Sequence, residues 1–271
     1  MENVIDTINN LIPCDDDTYI GDDGLLHCKK CGGYRQTKIN VFGQEKIVRC
    51  VCPCIKDALE AENRRLEQQS IERYRNICFK SKEMQKWTFE NDMSNDENKN
   101  IKIAKNYVKH FEDMKKDNIG LLLYGSVGTG KSYTAACIAN ALIDKGYRVL
   151  MANLPSIANE LHSKFDGKQA YIESLNHYDV VIYDDLGIER NTEYMQEQVF
   201  TIIDSRYRSG KPMIVTTNLT AEELKYCNNL NLQRVYDRVL ERCTPVEFKG
   251  SSIRKHKLAT NYKAVKDKLG L

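Results

Sequence analysis

No apolar run in these 271 residues approaches the roughly 20 needed to cross a bilayer, so a membrane-spanning chain is not expected. The opening MENVIDTINN lacks the basic and apolar regions of a secretory signal, which leads us to expect a cytoplasmic protein in a reducing compartment. Disulfides are not expected there, so the ten cysteines need another explanation. There is also little net charge, +2, but this averages an acidic start (Asp15 to Asp17, Asp22, Asp23) and a basic end (Lys249 to Lys268). It therefore says little about partners. No internal repeat is evident. Apolar residues at 41% and charged ones at 29% fit a soluble globular chain, long enough for one α/β domain and a smaller module.

What is present is organised around Gly120–Ser132, GLLLYGSVGTGKS. Gly120 to Tyr124 suit a buried strand, and Gly125-x-x-x-x-Gly130-Lys131-Ser132 follows with phosphate-loop spacing. Thr134 to Asp144 then reads as a helix ended by Lys145 and Gly146. The chemistry explains the spacing. Glycines let backbone N–H groups turn inward on a phosphate chain, the helix N-terminus adds partial positive charge, Lys131 supplies a full charge and Ser132 a hydroxyl for Mg²⁺.

Downstream, strand and helix alternate, which predicts a mostly parallel sheet with helices on both faces. Expected elements are a strand over Tyr147–Ala152, one or two helices over Leu154–Leu175 with Gly167 as a breaker, a strand over Val180–Tyr183, a helix near Glu193–Tyr207 and a strand over Met213–Thr217. Upstream, Ile101, Ala104, Tyr107, Val108, Phe111 and Met114 repeat at helical spacing. Asp184 and Asp185 follow a buried strand, where the first acid can hold the water shell of Mg²⁺ and the second can polarise an attacking water. Asn218 ends the next strand. It can contact a γ-phosphate or cap the turn before Leu219. Arg234, Arg238 and Arg242 share one helical face, either solvated or presented to a neighbouring subunit.

Six cysteines fall in the first 54 residues. Cys28-Lys-Lys-Cys31-Gly-Gly resembles a zinc knuckle, and Cys50-Val-Cys52-Pro-Cys54 returns after a gap suited to a β-hairpin. Cys28, Cys31, Cys50, Cys52 and Cys54 compete for four places in a structural site. A segment this poor in apolar residues needs the free energy of metal binding to fold. His27 reads as a surface histidine, and Cys78, Cys137, Cys227 and Cys243 as small core residues. From Ile55 to Cys78 the chain is polar and helix-favouring, and Glu90–Asn100 reads as a linker.

GLLLYGSVGTGKS, VVIYDDLGIER, IIDSRYRSGKPMIVTTNL and RVYDRVLERC, in that order, resemble the DnaC/DnaI-type AAA+ replication proteins, the set common in firmicute phages and mobile elements above all. The resemblance runs from about Cys28 to the C-terminus. It implies a P-loop NTPase that binds ATP and Mg²⁺, hydrolyses ATP, and loads a hexameric DnaB-type replicative helicase onto single-stranded DNA. By position it makes Gly125, Ser126, Val127, Gly128, Thr129, Gly130, Lys131 and Ser132, with the adjoining Tyr133, the nucleotide-binding loop. Asp184 and Asp185 become Walker B, Asn218 sensor 1, and Arg238 the arginine finger with Arg234 as alternate. It favours Cys28, Cys31, Cys52 and Cys54 over Cys50 as ligands for Zn²⁺.

The implied organisation is a helicase-binding zinc module over 1–54, a connecting helix and linker over 55–100, and the AAA+ domain over 101–271. Leu154 to Tyr178 matches an initiator-type insertion, with Lys164 and Lys168 toward DNA, and Arg254 matches a basic position in the last motif. A finger acting in trans implies head-to-tail self-association. Two other functions share parts of the pattern: an IstB-like transposition helper shares the core motifs, and a small-molecule kinase shares the phosphate loop.

Overall fold

A computed structural model describes residues 12, 17–91, 98–164, 166–187, 192–250 and 252–253. Cys14, most of the Glu90–Asn100 linker and Arg254 lie outside the described residues. The chain divides into two compact units, Met1–Gln69 and Ser70–Leu271.

The first unit is built from two small hairpins. Strand β1 (Thr18–Ile20) pairs antiparallel with β2 (Leu26–Cys28), and β3 (Gln36–Val41) with β4 (Gln44–Arg49). Phe42 and Gly43 connect β3 to β4 at φ 53° and 84°, the two-residue left-handed turn that matches strand twist. Helix α1 (Pro53–Cys78) follows, and the boundary between the units falls within it.

The second unit holds α2 (Lys99–Lys109), α3 (Phe111–Lys116), β5 (Gly120–Gly125), α4 (Lys131–Asp144), β6 (Val149–Asn153), α5 (Leu154–Ser163) and α6 (Lys168–Leu175). It continues through β7 (Val180–Leu186), α7 (Glu193–Arg208), β8 (Met213–Thr217), α8 (Ala221–Lys225), α9 (Leu230–Arg242) and β9 (Cys243–Phe248). Five strands form one sheet in the order β6-β7-β8-β5-β9, every pairing parallel. Because side chains alternate across a strand, Leu121, Leu123 and Ile182 enter one core with α2 and α4, while Leu122, Val181 and Val215 enter the other with α5, α7 and α9. The α/β fold class read from the motifs is thus observed, with a fully parallel sheet.

Local chemistry sets the boundaries. The Asn153 side chain caps α5 by accepting from the Ser156 N–H (2.9 Å), and Gly167 at φ 85° separates α5 from α6. The helical stripe over Ile101–Met114 is two helices with His110 between them. Strand β9 has no counterpart in the sequence reading, because CTPVEF contains a proline and alternates only weakly. Its place at the sheet edge makes the proline tolerable. Among the described residues no helix is long and apolar enough to cross a membrane.

Candidate nucleotide site and candidate metal centre

The loop after β5 is shaped by three glycines in the left-handed region, Gly125 (φ 127°), Gly128 (φ 82°) and Gly130 (φ 98°), which side-chain-bearing residues rarely adopt. Gly125 is also held by space, because a Cβ there would lie 2.3 Å from the Phe248 carbonyl oxygen of β9. Helix α4 starts at Lys131, so Ser132 and Tyr133 sit in its first turn, where the positive end of the helix dipole favours an anion. Lys131 is 5% exposed and its Nζ donates to the carbonyls of Gly125 (2.8 Å) and Ser126 (2.7 Å). Thr129 Oγ1 donates to Ser126 O (2.8 Å), closing the loop on itself. The ammonium is thus drawn into the loop's own ring of peptides, a cradle that suits a polyphosphate. The chain returns to it near the end, where the Ile253 N–H donates to Gly128 O (2.9 Å).

Asp184 and Asp185 lie at the C-terminal end of β7, and Asn218 just past the end of β8, both on the edge of the sheet that carries the loop. With β8 between β5 and β7, the acids are about 9–10 Å along the sheet from the loop's strand. Asp185 has φ 60°, and the β7–β8 register slips between Tyr183 and Leu186. Thr216 Oγ1 donates to Asp184 Oδ1 (2.6 Å) and accepts from the Asp185 N–H (2.9 Å). Next to it, Thr217 Oγ1 donates to Leu186 O (2.6 Å). Helix α8 takes its cap from Thr220, in a reciprocal box with Glu223, and not from Asn218.

Two threonines were missed in the sequence, where TT before an asparagine reads only as strand. Arg206 was missed as well. It is fully buried, and its guanidinium donates to the carbonyls of Pro212 (2.7 Å), Tyr178 (3.1 Å) and Asp179 (3.1 Å), tying α7 to the base of the sheet. Desolvation pulls its pKa down to about 10, still charged at neutral pH.

Arg238 is held within its own chain. Its Nε donates to Asp204 Oδ1 (2.6 Å), and its guanidinium lies 4.7 Å from the centre of the Phe200 ring. Arg234 is exposed one turn earlier, and Arg242 stacks over Tyr207 at 5.0 Å. Lys164 ends α5 with its Nζ over the Tyr171 ring, and Lys168 begins α6.

In the first unit, the Sγ atoms of Cys28, Cys31, Cys52 and Cys54 all lie within 4.8 Å of one another. The Cys52–Cys54 and Cys28–Cys54 separations are 3.4 and 3.7 Å. A tetrahedral ion with metal–sulfur bonds of about 2.3 Å sets its sulfurs about 3.8 Å apart, so this donor set fits Zn²⁺. Cys52 immediately precedes α1. Burial pushes its thiol up, but the Ile55 N–H, the neighbouring thiols and Arg35 outweigh that and bring it down to about 6. Cys50 stands apart, with its Sγ donating to Tyr34 O (3.4 Å). His27 is not an ordinary surface residue. Its ring is fixed between Asp23 (3.0 Å) and Gly32 O (3.1 Å) and packs against Tyr34 at 4.5 Å, and these hydrogen bonds raise its pKa.

A family model described as IstB-like ATP binding protein matches residues 53–260. The chain belongs to that family. The similar proteins of this IstB-like chain include the replicative helicase loader DnaI of Bacillus subtilis (strain 168), 27% identical over 161 residues, covering 55% of this chain and 51% of the relative. They also include the replicative helicase loader DnaC of Escherichia coli (strain K12), 28% identical over 141 residues, covering 50% and 55%. The chain thus spans about half the length of the curated relatives it matches. Among solved structures, the crystal structure of DnaI aligns with a TM-score of 0.54 at 24% identity, over 66% of this chain and 98% of that one. That of the DnaC helicase loader aligns at 0.52 and 22%, over 62% and 100%. These structural likenesses show the fold, and the family match with the named relatives supports the DnaC/DnaI-like AAA+ reading of the motifs.

Proposed function

We propose that this chain is an ATP-dependent helicase loader, binding a hexameric DnaB-type replicative helicase and single-stranded DNA and hydrolysing ATP as the switch between bound states. The observation that carries the reading is the convergence on one sheet edge of a lysine-bearing glycine loop, two adjacent carboxylates and Asn218. The names of the relatives, replicative helicase loaders, favour loading over the transposition-helper alternative.

In this reading Gly125 to Tyr133 cradle the phosphates, and Lys131 exchanges the Gly125 and Ser126 carbonyls for β- and γ-phosphate oxygens. Bound Mg²⁺ would neutralise developing phosphate charge, with Ser132 and Asp184 as the residues that hold it. Asp185 polarises the attacking water, and Asn218 orients the γ-phosphate. Arg238 acts on the nucleotide of a neighbouring copy in a head-to-tail assembly, releasing Asp204 to do so, and exposed Arg234 is the alternate. Lys164 and Lys168 face single-stranded DNA. Zn²⁺ on Cys28, Cys31, Cys52 and Cys54 would supply the folding energy of the module that contacts the helicase.

The test is co-purification of the full chain with a hexameric DnaB-type helicase, with and without ATP, beside an ATP titration of Lys131→Ala. We expect ATP-dependent capture and an ATP affinity at least about 10-fold lower in the variant, the loss of one charge-assisted contact. Unchanged affinity overturns the nucleotide assignment, and no capture in either condition overturns the loader.

A further inference from the structure

We infer that Thr216 is a positioning residue for the two carboxylates, an inference that rests on the ATPase reading above. Between the pairs Tyr183↔Val215 and Leu186↔Thr217, β7 takes three steps while β8 takes two. The extra residue is a β-bulge, and it falls on Asp184–Asp185 opposite Thr216. A bulge bends the strand, re-aims side chains and drops a backbone group out of the ladder. It also places Asp185 at φ 60°, in the left-handed region that side-chain-bearing residues rarely adopt.

The dropped group is the Asp185 N–H, and the Thr216 hydroxyl takes it at 2.9 Å. The same hydroxyl spends its one proton on Asp184 Oδ1 at 2.6 Å. Thr216 is fully buried, so water does not compete for either bond. One oxygen therefore fixes the rotamer of the first acid and the backbone of the second. Thr217 repeats the device on the far side of the bulge, donating to Leu186 O (2.6 Å) and accepting from the Leu219 N–H (3.1 Å). A serine could make both Thr216 bonds. A valine fills the same volume and makes neither, and it sets a methyl group against a carboxylate.

The experiment compares the full chain with Thr216→Val, Thr216→Ala and Thr216→Ser by three readouts: ATP affinity without Mg²⁺, the gain in affinity on adding Mg²⁺, and kcat for hydrolysis. Loss of an outer hydrogen-bond partner at such sites typically costs about 10- to 100-fold. We expect the Mg²⁺-dependent gain and kcat to fall by that factor in the valine variant, with metal-free affinity within about twofold of wild type. Serine should recover most of the loss. Should valine fold poorly, alanine gives the same reading without the added methyl. Wild-type kcat and Mg²⁺ response in valine or alanine overturn the inference, as does a serine variant as impaired as valine. A wild-type chain that binds no MgATP instead overturns the proposed function, and the inference with it.

Discussion

The two units hold themselves together by opposite means. Among the described residues up to Gln69, the buried side chains are Leu25, Cys28, Arg35, Val48 and Cys52, two of them in the thiol cluster. The second unit packs two apolar cores on the faces of a five-stranded sheet, with Leu122, Ile138, Leu142, Ile182 and Ile203 fully buried. At about 25 cal/mol per Å² of apolar surface, the sheet can be sustained by burial alone, while the hairpins cannot. With Zn²⁺ on the thiol cluster as proposed, the contrast teaches where each unit is vulnerable: the first to loss of that ion, the second to disturbance of its core.

The strongest way to break this comparison is metal removal. Structural zinc contributes on the order of 10 kcal/mol in small modules, so a chelator, or Cys28→Ser, should unfold the first unit. The only tryptophan, Trp87, lies in the second unit beside Tyr133 at 5.5 Å and serves as a probe of that unit. Its urea transition should move by less than about 0.5 kcal/mol while amide exchange in residues 17–52 becomes fast. A matching loss in the Trp87 signal would show that the units are not independent, and metal-free protein with protected hairpins would remove the zinc centre.

A smaller effect comes from the second unit's buried charge. Arg206→Leu leaves the carbonyls of Tyr178, Asp179 and Pro212 without their donor, which should cost roughly 3–5 kcal/mol in the Trp87-reported transition. Zinc content should stay at the wild-type ratio. A cost under about 1 kcal/mol would mean that water takes over those carbonyls and the site is not a closed staple.

The smallest effect sharpens the comparison through pH. Burial raises the Asp179 pKa, but the hydrogen bond from Lys115 Nζ (2.9 Å) and that from the Arg148 N–H outweigh it, and the net shift is downward. A carboxyl held low in the folded state stabilises above its unfolded pKa, and that contribution is lost as pH falls through the folded value. Asp179→Asn should therefore lower stability by no more than about 1 kcal/mol at neutral pH and make its decline below about pH 4 shallower. An identical acid limb in the variant would assign the acid loss to other carboxylates.

What the sequence disclosed follows the same division. The phosphate loop, the buried strands and the paired acids were readable because each is a local pattern: glycine spacing, runs of Val and Ile, a charge at a strand end. The cysteine cluster was readable only up to Cys50, which stands two residues from Cys52 and differs from it by a contact with Tyr34 across a hairpin. Arg206, Thr216 and Asp204 were not readable. Their partners lie on other elements or across a turn, and an arginine in SRYRSGKP looks like any exposed helix end until the sheet closes over it. The arginine row belongs to both groups, since its spacing was plain and the Asp204 and Phe200 contacts that hold Arg238 were hidden.

Strand β9 also has a consequence for the order in which the molecule is made. Its partner β5 carries the glycine loop, and the two are joined from Gly120↔Cys243 to Gly125↔Phe248. During synthesis, the strand that bears the loop therefore keeps one edge open until more than 120 further residues have followed it out of the ribosome. Long-range parallel pairing of this kind is slow and exposes an edge to other chains in the meantime. The backbone of Phe248 is also what packs against Gly125. A nascent chain cut short before β9 would carry every residue of the loop and yet lack the wall against which the loop is set.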